Sequence, residues 1–189
     1  TGDGNALRTW SGAAAATLGG IDIEVCNGSA LEIDRNEECW QSEINVDLMG
    51  TVRAIDAAMP FLEKSKAGSI VVISSVSGVE IDFAAGPYGA MKAALIHYTS
   101  GLSNQLAPKG IRANVVSPGN TYFKDGVWHR IEQGMPDLYK SALASNPMGR
   151  MARPEEIANA VAFLASPAAS FVTGTNLMVD GALTKRVQF

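Results

Sequence analysis

Three side chains in this sequence could together move a proton at a carbonyl: Ser75, Tyr88 and Lys92. Tyr88 and Lys92 lie four residues apart, so a helix presents both on one face. A free phenol titrates at about 10 and is a poor base at neutral pH. An ammonium one turn away favours the phenolate and is expected to lower that value. Ser75 lies thirteen residues before the tyrosine, at the end of a predicted strand, where its hydroxyl could hold a substrate oxygen beside the phenol. Such a set can donate or accept a proton at a carbonyl or an alcohol. The pair alone is common by chance, and its bland reading is a surface tyrosine beside a solvated lysine. A different reading makes Ser75 an activated nucleophile of a hydrolase. No Gly-x-Ser-x-Gly elbow accompanies it, which argues against an ordinary α/β-hydrolase. The third reading is a non-catalytic fragment that only associates.

These residues need elements to hold them. Residues 5–18 are Ala-rich and read as a helix stopped by Gly19-Gly20. Residues 21–26 read as a strand closed by Asn27-Gly28-Ser29, and 37–62 as one long helix that Pro60 bends or ends. The Ile-Val-Val-Ile run within 69–74 is continuous, as in strands covered on both faces. Residues 88–106 form the next helix, 111–116 a strand stopped by Pro118-Gly119, and 120–147 a polar and aromatic insertion with some helix. A helix over 154–164 starts on a proline with two acids in its first turn, and a last strand covers 176–179. Strands and helices alternate, which predicts an α/β fold: a doubly wound, mostly parallel sheet in a single domain over 1–189. Ligands in such sheets sit beyond the carboxyl ends of the strands. The loops there are 27–29, 74–78 and 117–119.

Composition narrows the partners. Hydrophobic residues make up 47% and charged ones 18%, with a net charge of -4, so no basic face invites a nucleic acid. No apolar run reaches membrane-helix length, and the first residues lack a signal peptide's pattern. Cys26 and Cys39 lack metal-ligand spacing and are expected as free thiols, which fits a cytoplasmic protein. No metal site is expected. His97 and His129 read as packing or surface residues. Tyr122, Phe123, Trp128 and Tyr139 crowd the insertion and suggest an aromatic wall over a substrate, with Met135, Met148 and Met151 as gap fillers.

An ordered set of motifs then raises the odds on the first reading. Gly68-Ser-Ile-Val-Val-Ile-Ser-Ser-Val-Ser-Gly78 leads to Tyr88-Gly-Ala-Met-Lys92, then Gly110-Ile-Arg-Ala-Asn-Val-Val-Ser-Pro-Gly119, Pro154-Glu-Glu-Ile-Ala158, Thr173-Gly174 and Val179-Asp-Gly181. From about Ile21 to Ala182 the chain resembles the short-chain dehydrogenase/reductases, of the type that includes ketoacyl-carrier-protein reductases and sugar or alcohol dehydrogenases. The resemblance implies a Rossmann-like fold and NAD or NADP as cofactor. It implies an enzyme interconverting a small-molecule ketone and a secondary alcohol, assembled as a homodimer or homotetramer. Tyr88 would give or take the proton. Lys92 would tune it and bond the nicotinamide ribose, and Ser75 would orient the substrate oxygen. Ser74 and Ser77 miss that spacing and read as strand-end and turn hydroxyls. Pro118 and Gly119 would lie against the nicotinamide, Thr121 would contact its carboxamide, and Asn27 would support the turn approaching the cofactor.

The chain departs from the family pattern in three places. Asp47, in Asp47-Leu-Met-Gly50, stands where the family often has an asparagine that holds a relay water, and its charge would alter that relay. Asn45 reads as a plain helix residue. The usual Asn-Asn-Ala-Gly strand end is here Cys26-Asn27-Gly28-Ser29. The opening strand and phosphate-binding Gly-rich loop are not found; Thr1-Gly-Asp-Gly4 has neither the strand nor the spacing. The expectation is that the N-terminal strands are missing here and that the natural protein is longer. Glu24, in mid-strand, fits an edge position, where a charge discourages aggregation.

Overall fold

The computed structural model describes residues 2–187. Four strands, β1 (Ile23–Cys26), β2 (Ser69–Ile73), β3 (Arg112–Pro118) and β4 (Asn176–Val179), form one sheet in the order β1-β2-β3-β4. All three pairings are parallel. Cys26, Val72 and Val115 lie side by side in register, so the loops that follow them open along one edge.

Helices cover both faces, as the alternation of elements predicted. They are α1 (Gly4–Leu18), α2 (Glu37–Glu43), α3 (Met49–Leu62), α4 (Pro87–Leu106), α5 (Val127–Gly134), α6 (Pro136–Ser145) and α7 (Pro154–Ala165). The apolar run of β2 shows why. Ile70 and Val72 pack with Ile55, Leu62 and Leu95 on the α3 and α4 side, while Val71 meets Leu164 of α7 on the other. Period-two alternation sends neighbours to opposite faces, so an uninterrupted apolar strand is buried on both. Arg112 clamps the end of α7 by donating to the carbonyls of Leu164, Ala165 and Ser166 at 2.6, 3.1 and 3.2 Å. A cation on the last carbonyls of a helix also complements its dipole.

Several boundaries differ from the sequence reading. The single helix expected over 37–62 is two, α2 and α3, joined by a π-helical turn at Ile44–Leu48. The C-terminal end falls at Leu62 as expected, with Pro60 inside the last turn of α3. β3 continues to Pro118, beyond the expected 116, and the serine strand stops at Ile73. The insertion contains α5 and α6, packed together around Trp128, Ile131 and Met151; Met135 and Met148 lie exposed instead of filling gaps. β1 pairs with β2 alone among the described residues, with Glu24 half-buried beside Ile70. Cys26 and Cys39 are free thiols.

Candidate active site

Ser75, Tyr88 and Lys92 meet in one cleft at the carboxyl edge of the sheet. Ser75 leaves β2 and caps a short 3-10 turn, Val76–Gly78, by accepting from the Ser77 N–H at 3.2 Å. That turn lies directly on α4, because a Cβ on Gly78 would come within 2.7 Å of the Lys92 carbonyl carbon. Only a residue without a side chain allows this approach. Ser74, set aside by its spacing, ties strand to helix by donating its hydroxyl to the Lys92 carbonyl at 2.8 Å.

Lys92 is buried, and its position is over-determined. Its Nζ donates to Asp47 Oδ2 at 3.0 Å and to the Ile73 carbonyl at 3.3 Å, and sits 5.4 Å from the centroid of the Tyr88 ring. Asp47, fully buried in the π-helical turn, also accepts from Ser29 Oγ at 2.7 Å and from the Ala30 N–H at 2.7 Å. A π-helical turn displaces side chains from the regular helical stripe, and such turns recur at functional sites. Asp47 therefore belongs to the cluster. Asn45 instead takes a hydrogen bond from Arg53 at 2.9 Å, away from the cleft.

The expected lowering of the Tyr88 pKa is overturned. Burial pushes the phenol up to about 12, opposed by a hydrogen bond from Ser75 and reinforced by the charges of Asp47, Glu43 and Asp82. Lys92 does not offset this, since its ammonium is already paired with Asp47. Burial thus favours the protonated phenol at neutral pH, which suits a donor rather than a base.

Asn27, Pro118, Gly119 and Thr121 all line the same cleft of about 780 Å³. Gly119 has a packing reason as well, since a Cβ there would fall 2.8 Å from Asp180 Cα. The Thr121 hydroxyl donates to the Gly119 carbonyl at 3.1 Å, within its own loop. On the opposite wall, Ile157, Val161 and Ala162 of α7 present an apolar surface. Of the four aromatics expected over the substrate, Phe123 and Trp128 line the cleft, whereas Tyr122 packs on Tyr139, 6.0 Å between ring centroids, inside the insertion. His97 is exposed, and His129 bonds to the Asp125 backbone at 3.1 Å.

Sequence reasoning missed three residues. Asp82 accepts from Ser77 Oγ at 2.6 Å and brings a carboxylate to the substrate side. Phe83 stacks edge-on against Trp128 at 5.7 Å. Glu43 is a fully buried acid one turn before Asp47. The only signal for Glu43 was that spacing, which reads equally well as a solvated helix face.

Known proteins share much of this chain's sequence and fold. The family profile described as "Enoyl-(Acyl carrier protein) reductase" matches residues 2–184. Isoepoxydon dehydrogenase patN of Penicillium expansum is 40% identical over 187 residues, which cover 98% of this chain and 72% of the relative. Cis-4-hydroxycyclohexanecarboxylate dehydrogenase of Sinomonas cyclohexanicum is 36% identical over 177 residues, covering 90% of this chain and 69% of that one. Among solved structures, ElxO with NADP bound superposes with a TM-score of 0.87 at 25% identity, over 96% of this chain and 75% of that one.

Proposed function

The chain belongs to the short-chain dehydrogenase/reductase family, and from that premise we propose that it interconverts a neutral ketone and the corresponding secondary alcohol, with Tyr88 as proton donor and acceptor. As a member of that family it is an oxidoreductase that uses NAD or NADP. The observation that carries the proposal is the meeting of Ser75, Tyr88 and an ion-paired Lys92 in one cleft at the strand ends. Bound NAD(P)H supplies the hydride in reduction, and NAD(P)+ takes it back in oxidation. The residues present fit the nicotinamide end of that group. Asn27, Pro118, Gly119 and Thr121 would hold it against the apolar face of α7, with Lys92 as the cation within reach of its ribose.

In reduction the Ser75 hydroxyl donates to the substrate oxygen and fixes the carbonyl beside the phenol. As hydride reaches the carbonyl carbon, that oxygen becomes an alkoxide and Tyr88 passes it the phenolic proton. The phenolate that remains is stabilised by Ser75 and by the nearby ammonium of Lys92. A phenol held near 12 by burial suits the donating role, because it stays protonated until charge develops on the substrate.

The substrate class follows from what lines the rest of the cleft. Val76, Phe83, Ala84, Phe123 and Trp128 are apolar or aromatic, and Asp82 is acidic. Lys92 is the sole base among the residues lining the cleft, and Asp47 already neutralises it. A flat, uncharged ring ketone suits that surface. Cyclic substrates are also what the Sinomonas relative's name describes, although that compound carries a carboxylate.

The test follows the reduced-nicotinamide absorbance during turnover of a panel of cyclic ketones. Tyr88→Phe should lower kcat/KM by about 10²–10⁴-fold, the range for a lost general acid, and leave cofactor affinity by calorimetry in place. A Tyr88→Phe protein that reduces the same ketones at the original rate would refute the assignment.

A further inference from the structure

Behind the reaction centre lie two buried acids and one buried base. Glu43, at the end of α2, and Asp47, in the π-helical turn that follows, are both fully excluded from solvent, and Lys92 is nearly so. Asp47 is saturated: Oδ1 takes the Ala30 N–H, and Oδ2 takes Ser29 Oγ and Lys92 Nζ. Glu43 is not. Its Oε1 accepts from the Glu32 N–H at 2.6 Å, while Oε2 is buried with no hydrogen-bond partner among the described residues.

One ammonium cannot neutralise two carboxylates. A second buried carboxylate without a counter-ion is expensive, and the cheapest relief is a proton. Asp47 holds the direct ion pair, which leaves the proton to Glu43. Within Glu43, Oε1 already accepts a backbone N–H and has no need of it. The unpaired Oε2 is where a hydroxyl would sit.

We propose that Glu43 is carried in the folded protein as a neutral carboxylic acid, protonated on Oε2, and acts as a positioning residue that keeps the Asp47–Lys92 pair free of excess negative charge beneath Tyr88. This rests on the reading of Tyr88 and Lys92 as the reacting pair only for its effect on rate, not for the protonation itself. The groups facing Glu43 are Asp47 from the π-helical turn, Lys92 and Tyr88 from α4, and Glu32 from the loop after β1. The Glu32 side chain is turned to the Cys39 thiol, at 3.6 Å, and does not supply a counter-charge. Burial raises the Glu43 carboxyl to about 7; the Glu32 N–H opposes this, the Asp47 charge adds to it, and Lys92 opposes it.

The sign of the pH effect follows. Unfolded, this carboxyl titrates at the ordinary value of 4.5. Between that value and about 7 the unfolded chain gives up the proton and the folded one keeps it, so stability falls as pH rises through this window. In the same range Glu43 acquires charge close to Lys92 and Tyr88. The pH–rate profile should therefore carry an ionisation near neutrality that belongs to neither Tyr88 nor the substrate.

Infrared difference spectroscopy of the whole protein with ¹³C-labelled glutamate tests the protonation directly. The expected result is a buried carboxylic-acid carbonyl band below neutral pH that shifts with the label, vanishes as pH rises through about 7, and is absent from Glu43→Gln. Tyr88→Phe should keep the band, so this readout stands or falls apart from the catalytic assignment. In kinetics, Glu43→Gln should lose the near-neutral ionisation from the kcat/KM profile, and Glu43→Ala should not restore it. No glutamate acid band in the labelled wild type, or a band that persists in Glu43→Gln, would overturn the proposal. The label keeps the test informative even where a variant fails to fold.

Discussion

Asp47→Ala removes one partner of a buried ion pair, and the structure sets the size of the effect. The two groups meet at 3.0 Å, with side-chain exposures of 4% for Lys92 and 0% for Asp47. Deleting one member of such a pair leaves an uncompensated buried charge and costs about 3–5 kcal/mol. Two features pull the cost toward the lower figure. Ser29 is exposed and Ala30 only half-buried, so water can take over the hydrogen bonds that Asp47 loses. Glu43 lies beside Lys92 and can give up its proton to become a substitute counter-ion. A loss of about 3 kcal/mol is a large share of the roughly 5–15 kcal/mol that holds a domain together. At this chain length it corresponds to a fall in Tm of about 6–12 °C. Thermal unfolding followed by circular dichroism at neutral pH reads this directly. Lys92→Met should cost a similar amount, because it strands Asp47 instead. The double variant should then be at least about 1 kcal/mol more stable than the two losses added together. A Tm for Asp47→Ala within about 2 °C of the parent, close to the effect of an ordinary surface change, would show that the pair does not hold the site, and strict additivity would show the same.

The remaining predictions concern packing, acid stability and substrate choice. Gly78→Ala should destabilise by about 1–3 kcal/mol and lower turnover, because its Cβ would lie 2.7 Å from rigid Lys92 backbone. Gly101→Ala, where nothing lies within 4 Å of the new Cβ, should instead gain up to about 1 kcal/mol from helix propensity; urea unfolding separates the two signs. Glu156 is held down to about 2 by its hydrogen bonds from Arg150 and the Arg153 N–H. Its contribution is complete above the ordinary value of 4.5 and lost as pH falls toward 2, so Glu156→Gln should lose stability mainly at neutral pH, converge with the parent near the acid end and so flatten the acid limb of a stability–pH curve. Among cyclic ketones of equal size, one bearing a carboxylate should show a kcat/KM at least about tenfold below its neutral counterpart, since about 1.4 kcal/mol of repulsion from Asp82 suffices; equal rates would refute the charge argument.

The parts of this fold that were legible in the sequence share a physical cause. β2 could be placed because a strand buried on both faces has no room for polar residues, and Ile70 to Ile73 obey that rule. The cleft could be placed because the parallel strands β1 to β3 end in register, so three loops distant in sequence open side by side. The break between α2 and α3 was illegible, because a π-helical turn widens one hydrogen-bonded ring and leaves the apolar spacing of 44, 48, 52 and 55 almost unchanged. The end of α3 was legible for a simpler reason: Pro60 has no N–H to give to the preceding turn, and the helix stops two residues later at Leu62.

The reversal at Tyr88 follows from the same logic carried to charge. Spacing along one helix reveals that Lys92 stands near Tyr88, and a cation near a phenol should favour the phenolate. Spacing says nothing about what arrives from another element. Asp47 comes from the turn before α3 and takes the ammonium for itself, and the phenol is buried, so desolvation dominates. The sign of a pKa shift is set by the balance of charge and burial over the whole cluster, and in a buried cluster that balance is decided by contacts distant in sequence. Lys92 is thus better understood as half of a neutral pair than as a free cation. Its influence on Tyr88 becomes available when charge develops on the substrate oxygen, and ionisation of Glu43 would weaken it.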